Sequence, residues 1–255
     1  MSFLQLSLLF VTAILGGTLN SVAGGGSFFT FPSLIFTGVP PIQANATSTV
    51  ALWPGSAASV SAYWNELKKQ KASLVIILSI VSLIGGTAGA FLLLGTSQST
   101  FVHLIPWLLL FATVLFTFST PITALLRTGV KSGTSWRSLV GVSVLQLVIS
   151  TYGGYFGGGI GILMLASLAI MGMDNIHEMN AVKTFLTIVI NGVAVIIFVL
   201  KGVVFWQQAI LMIAGAILGG YGGAYFARKI DQKWVRLFVT IVGFSLTIYF
   251  FIQQV

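Results

Sequence analysis

One pattern occurs twice in this chain of 255 residues, and each copy interrupts a long apolar run with glycines. Gly24-Gly25-Gly26 returns as Gly157-Gly158-Gly159. Asn45-Ala46 returns, at almost the same separation, as Asn180-Ala181. The stretch Gly85-Gly86-Thr87-Ala88-Gly89-Ala90 returns, again at almost the same separation, as Gly219-Gly220-Tyr221-Gly222-Gly223-Ala224. Near-constant offsets predict two halves of the same order, 1–127 and 128–255, packed into one integrated domain.

The surroundings of those halves follow from their shortage of charge. Hydrophobic residues make up 56% of the chain and charged residues 6%, against roughly 25% charged in a soluble domain. So few charges cannot cover a surface in water, so lipid is the expected solvent for an all-α polytopic membrane protein. The first segment has neither a basic start nor a cleavage site, and it is expected to stay in the structure. The formal charge of +8 does not read as nucleic-acid binding, because the basic residues fall in short gaps between apolar runs. The absence of cysteine excludes disulfides, thiolate metal sites and cysteine nucleophiles. With no Walker loop, no zinc-ligand spacing and only scattered acids, the expectation is a non-enzyme without metal or cofactor.

Apolar segments run over 3–38, 42–63, 73–94, 101–121, 138–171, 180–200, 205–226 and 236–252. The segments 3–38 and 138–171 are too long for one pass: a straight helix of ~34 residues is ~51 Å long, against a hydrocarbon core of ~30 Å. Each has its glycines near the middle, which predicts a broken helical hairpin at the start of each half. Basic residues mark three loops: Lys68, Lys69 and Lys71; Arg127, Lys131 and Arg137; Arg228, Lys229, Lys233 and Arg236. Placing all three on the cytoplasmic side inverts one half relative to the other, about an axis in the membrane plane, and leaves both termini outside. Eight single passes would put the third loop opposite the other two. Gly85, Gly86, Gly89, Gly219, Gly220 and Gly223 are expected to serve helix packing.

Unwound backbone at membrane depth survives only inside protein or beside a wet cavity. The glycine breaks are therefore the candidate site. A helix that starts after a break presents free N–H groups and its positive dipole end, both suited to an anion. The first break supplies Asn20, Ser21, Gly24, Gly25, Gly26 and Ser27, and the second supplies Gly157, Gly158 and Gly159, with Thr151 and Tyr152 beside them. A tight turn alone would also explain these glycines. The helix entries that follow carry Asn45, Ser48 and Thr49 in one half and Asn180, Lys183 and Thr184 in the other, each set at helical spacing. Thr187 shares the face of the second set. Lys183 reads as a counter-charge for an anion; snorkelling, or pairing with Asp174 or Glu178, would also account for it. His177 and Glu178 are candidates for proton coupling, competing with a solvated loop cluster. Asn191 is expected to bond to a neighbouring helix, and Trp53 to pack in the core ahead of a kink at Pro54.

The stretch Asn20-Ser21-Val22-Ala23-Gly24-Gly25-Gly26-Ser27-Phe28, with Phe31-Pro32, Pro40-Pro41 and the entry Asn45-Ala46-Thr47-Ser48, resembles the TauE/SafE family of membrane permeases. Gly157-Gly158-Gly159-Ile160-Gly161 and Asn180-Ala181-Val182-Lys183-Thr184 repeat the resemblance, which spans nearly the whole chain. It implies a prokaryotic inner-membrane permease for small sulfur-containing anions such as sulfite, sulfoacetate, sulfonates or thiosulfate. The expected function is secondary transport by alternating access, with the small anion, the lipid bilayer and a coupling proton as partners. A passive anion channel and a non-transporting membrane protein are the rival readings.

Overall fold

A computed structural model describes residues 1–22, 25–118, 136–173, 175–226 and 232–253. The described residues form eleven helices and no strands: α1 (Phe3–Val22), α2 (Ser27–Phe36), α3 (Pro41–Ala62), α4 (Trp64–Lys68), α5 (Ala72–Gly95), α6 (Gln98–Thr117), α7 (Trp136–Tyr155), α8 (Ile160–Ile170), α9 (Ile176–Leu200), α10 (Trp206–Phe226) and α11 (Gln232–Ile252). Both long apolar segments are broken at their glycines. The helices after the breaks, α2 with 10 residues and α8 with 11, are about 15–17 Å long, half the thickness of the hydrocarbon core. The short α4 was not expected as a helix of its own. Helix α3 continues through Pro54. Of the basic loops, Arg127, Lys131, Arg228 and Lys229 lie outside the described residues.

Among the described residues, four helices are long and apolar enough to cross a membrane: Phe3–Asn20, Ala72–Gly95, Gln98–Thr117 and His177–Leu200. Their outer faces carry large exposed side chains such as Phe3, Ile84, Leu92, Trp107 and Leu200. Such a surface is costly in water and ordinary against acyl chains. The chain is an all-α polytopic membrane protein.

The helices of the two halves interlock. α1 packs on α10 and α5 on α7; α3 meets α10, and α9 meets α5. Each of these contacts has its counterpart when the halves are exchanged. Glycine makes the closest of them. A Cβ at Gly219 would strike the Ile14 carbonyl, and one at Gly17 the Ala216 backbone; across the other seam, Gly89 meets the Thr151 carbonyl and Gly154 the Gly86 carbonyl. The packing role expected of Gly85, Gly86, Gly89, Gly219 and Gly220 is what their surroundings give; those of Gly223 lie outside the described side chains.

Corresponding helices run head to tail. Thr47, early in α3, accepts the Phe205 N–H just past the end of α9 at 3.0 Å. Trp53 Nε1 donates to the Ile188 carbonyl at 3.1 Å. Gln70, beyond α4, donates to Glu178 in the first turn of α9 at 2.8 Å. α3 and α9 are therefore antiparallel. So are α6 and α11: Thr117 meets Thr240 at 3.3 Å, while at the other end Trp107 packs edge-on against Phe251 at 5.1 Å. Between the bundle's helices an aromatic core forms around Phe31, which packs edge-on against Phe101 at 6.3 Å and Phe156 at 5.5 Å.

Candidate functional site

The first break turns at Gly25, whose φ of +109° lies in a region that side chains with a Cβ rarely adopt. Gly26 then caps α2. Its N–H donates to Asn20 Oδ1 at 2.8 Å, so the end of α1 holds the start of α2. Asn20 Nδ2 also reaches Ser56 Oγ on α3 at 3.4 Å.

The second break uses two positive-φ glycines, Gly157 at +77° and Gly159 at +73°. Gly159 caps α8. Tyr152 donates its hydroxyl to the Gly158 carbonyl at 2.7 Å, and Asn45 Nδ2 donates to the Tyr155 carbonyl at 2.9 Å. The second break is thus tied to the first half by α3. Among the described residues, the N–H groups of Ser27 and Gly161, at the heads of α2 and α8, have no protein acceptor. First-turn N–H groups lack an intrahelical partner, so these are donors available to a ligand.

Both heads open on one cavity. Asn20, Gly25 and Ser27 line it from the first break; Gly157, Ile160 and Gly161 from the second. Thr49, Leu52 and Ser56 come from α3, and Lys183, Thr184, Thr187 and Asn191 from α9. Thr49 and Thr184, Leu52 and Thr187, and Ser56 and Asn191 are three pairs with the same separation in the chain as Asn45 and Asn180. The two halves therefore turn the same helical register towards the cavity.

Lys183 is the cavity's cation. It is 5% exposed, so its ammonium does not reach the outer surface. Nζ donates to Asn180 Oδ1 at 3.0 Å. Glu178 is engaged elsewhere, accepting from Gln70 at 2.8 Å and from Asn175 at 3.5 Å, and Asp174 lies outside the described residues. Among the described residues no carboxylate pairs with Lys183. A buried ammonium without an anion is costly, and here two helix N-termini add positive potential beside it.

Of the residues expected from the sequence, the cavity gathers Asn20, Gly25, Ser27, Thr49, Gly157, Lys183, Thr184 and Thr187. Others serve those residues without lining it. Gly26 is bonded to Asn20 and pressed against Gly16. Ser48 shares a 2.6 Å hydrogen bond with Thr30 on α2. Asn45 holds the second break, Gly158 accepts from Tyr152, Gly159 packs on Ala112, and Asn180 holds Lys183. Gly24 and the side chain of Ser21 lie outside the described residues. Exposed His177 and half-buried Glu178 sit at the start of α9, away from the cavity lining.

The remaining lining residues, Leu52, Ser56, Ile160, Gly161 and Asn191, were absent from the expected site. Ser56 and Asn191 share the repeat offset, so both had a readable signal. Leu52 and Ile160 look like any other lipid-facing or core residue. Asn191 corrects its expected role: among the described residues it bonds to no neighbouring helix and faces the cavity instead.

Residues 9–250 match the family described as "Sulfite exporter TauE/SafE". A "Probable membrane transporter protein" of Haemophilus influenzae is 29% identical over 245 residues, covering 95% of this chain and 92% of the relative. "Probable membrane transporter protein YfcA" of Escherichia coli K12 is 27% identical over 243 residues, covering 94% and 87%. "Probable membrane transporter protein YunE" of Bacillus subtilis is 24% identical over 257 residues, covering 92% and 93%. No solved structure matches the chain.

Proposed function

The chain belongs to the sulfite exporter TauE/SafE family, and from that membership we propose that it is a secondary transporter of a small sulfur-containing anion: sulfite, sulfoacetate, a sulfonate or thiosulfate. The observation that carries the proposal is the buried Lys183 ammonium, without a carboxylate among the described residues, in a cavity faced by the starts of α2 and α8. The cavity offers an anion three donors that have no anionic partner among the described residues: the Lys183 ammonium and the Ser27 and Gly161 N–H groups at the two helix heads. Thr184 and Ser27 add neutral hydroxyl donors, whereas the Thr49 hydroxyl donates to the Asn45 carbonyl at 2.9 Å and has only its acceptor capacity left.

The transport cycle follows from the pairing of the halves. Antiparallel α3 and α9, and antiparallel α6 and α11, support reading 1–127 and 128–255 as inverted repeats. Rocking of one repeat against the other would then open the same cavity first to one side and then to the other. The basic loops orient the chain with both termini outside, in the inner membrane of a prokaryote.

Flux of sulfite and of a panel of sulfonates into proteoliposomes, with and without a pH gradient, tests this reading. Saturable uptake that Lys183→Gln abolishes at normal protein level is expected; a gradient dependence would identify the proton as partner. Absence of flux for every sulfur anion overturns the substrate assignment, and uptake unchanged in Lys183→Gln overturns the site.

A further inference from the structure

The cavity has two chemically different ends. Because α3 and α9 are antiparallel and meet at Trp53 and Ile188, Ser56 stands toward the Lys183 end and Thr49 toward the Asn191 end. Lys183 and Asn191 are eight residues apart, about 12 Å of helical rise, and Nζ turns further away, to Asn180. The Lys183 end is charged. The Asn191 end carries an amide that lines the cavity and has no hydrogen bond among the described residues; an amide can both donate and accept. Leu52, between Thr49 and Ser56 on α3, presents apolar surface midway.

An amide in the middle of a membrane helix is retained at a cost unless something bonds to it. An inorganic oxyanion held at Lys183 is too short to reach it. Because Nζ turns away from Asn191, the rise is a lower bound on the span; allowing ~2.9 Å for a hydrogen bond at each end, about 6 Å or more remains between the ligand's terminal polar groups, a spacer of at least about four carbons. We propose that the cavity is a two-ended site for an anion that carries an uncharged hydrogen-bonding group at the far end of a short methylene chain, with Asn191 as the tail-recognising residue. The proposal rests on the reading of Lys183 as the anion's partner. Ser56 then belongs to the head end, Leu52 to the spacer, and Thr49 assists the tail.

The test uses the full chain in proteoliposomes and compares butane-1-sulfonate with 4-hydroxybutane-1-sulfonate as inhibitors of sulfite uptake, with direct binding to the detergent-solubilised protein measured in parallel. The hydroxylated compound is expected to bind about tenfold more tightly, the worth of one good hydrogen bond. That ratio should fall to about one in Asn191→Ala and recover in part in Asn191→Ser. Equal binding of the two compounds to the native chain, or a preference that survives in Asn191→Ala, overturns the two-ended site. The native ratio decides the matter even where a variant fails to fold. Lys183→Gln separates the two readings. If it abolishes binding of both sulfonates while the native chain does not distinguish them, the anion site stands and only the tail subsite falls. If it binds both as before, the anion site falls, and the proposal built on it falls too.

Discussion

At the first glycine break the chain turns through Gly25 and is held by Asn20; at the second it turns through Gly157 and Gly159 and is held by Tyr152 and Asn45. Tyr152 has Leu19 as its counterpart in the first half, and Asn20 has Gly153 in the second, so neither clamp could have been copied from one repeat to the other. The next helices differ in the same manner. Ser48 and Lys183 occupy matching positions, yet Ser48 bonds to Thr30 within the first half while Lys183 lines the cavity. The seams between the halves contrast with this. There α1 on α10 and α5 on α7 use glycine in the same way. Packing at the seams is shared by the two halves, whereas the clamps at the breaks and the side chains at positions 48 and 183 are not.

The largest expected effect breaks the chemical asymmetry. Lys183→Gln should weaken anion binding by about 2–5 kcal/mol, roughly 30- to 4,000-fold, as loss of a buried charge partner does. Binding of sulfite to the solubilised protein measures it, and a change under about threefold would mean that the two halves contribute alike. Moving the charge sharpens the point. The pair Ser48→Lys with Lys183→Ser should not restore binding, because position 48 faces Thr30; recovery to native affinity would make the two sites interchangeable.

The packing symmetry predicts equal responses at the seams. Gly219→Ala and its counterpart Gly85→Ala each place a methyl group where there is no room, against the Ile14 backbone in one seam and against Ser150 Oγ and the Leu147 carbonyl in the other. Each should therefore cost about 1–3 kcal/mol or more, read as matched losses of thermal stability in detergent. Unequal losses would show that one seam carries the bundle. Gly222→Ala, with open space around it, should stay within about 0.5 kcal/mol. Between these lies Tyr152→Phe, which removes one hydrogen bond from the second break only and should cost about 1 kcal/mol. A variant as stable as the native chain would mean that Gly157 and Gly159 hold their turn without it.

Much of the architecture was legible because lipid simplifies the code. Apolar runs, glycine interruptions and basic gaps placed the two hairpins and every long helix, with boundaries close to the observed ones for α3, α5 and α10. The five-residue α4 has too few residues for a periodic signal. At the site, the residues read from the breaks and from one helical face reached the cavity when their side chains pointed that way, as with Thr49 and Thr184. Spacing could not tell Asn45, which turns to Tyr155, from Asn191, which turns to the cavity, because helical periodicity names a face and not what covers it.

By itself the sequence determined that this chain lies in lipid, that it doubles one pattern, and that its backbone opens at two glycine clusters. Those properties follow from local composition, since a bilayer rejects charge and unbonded backbone wherever they occur. Only the tertiary structure decided that both openings share one cavity, that Lys183 enters it with Asn180 as its support, and that Ser48 does not. Those outcomes depend on which helix of one half packs against which of the other, across long separations in the chain, and no local rule carries that information.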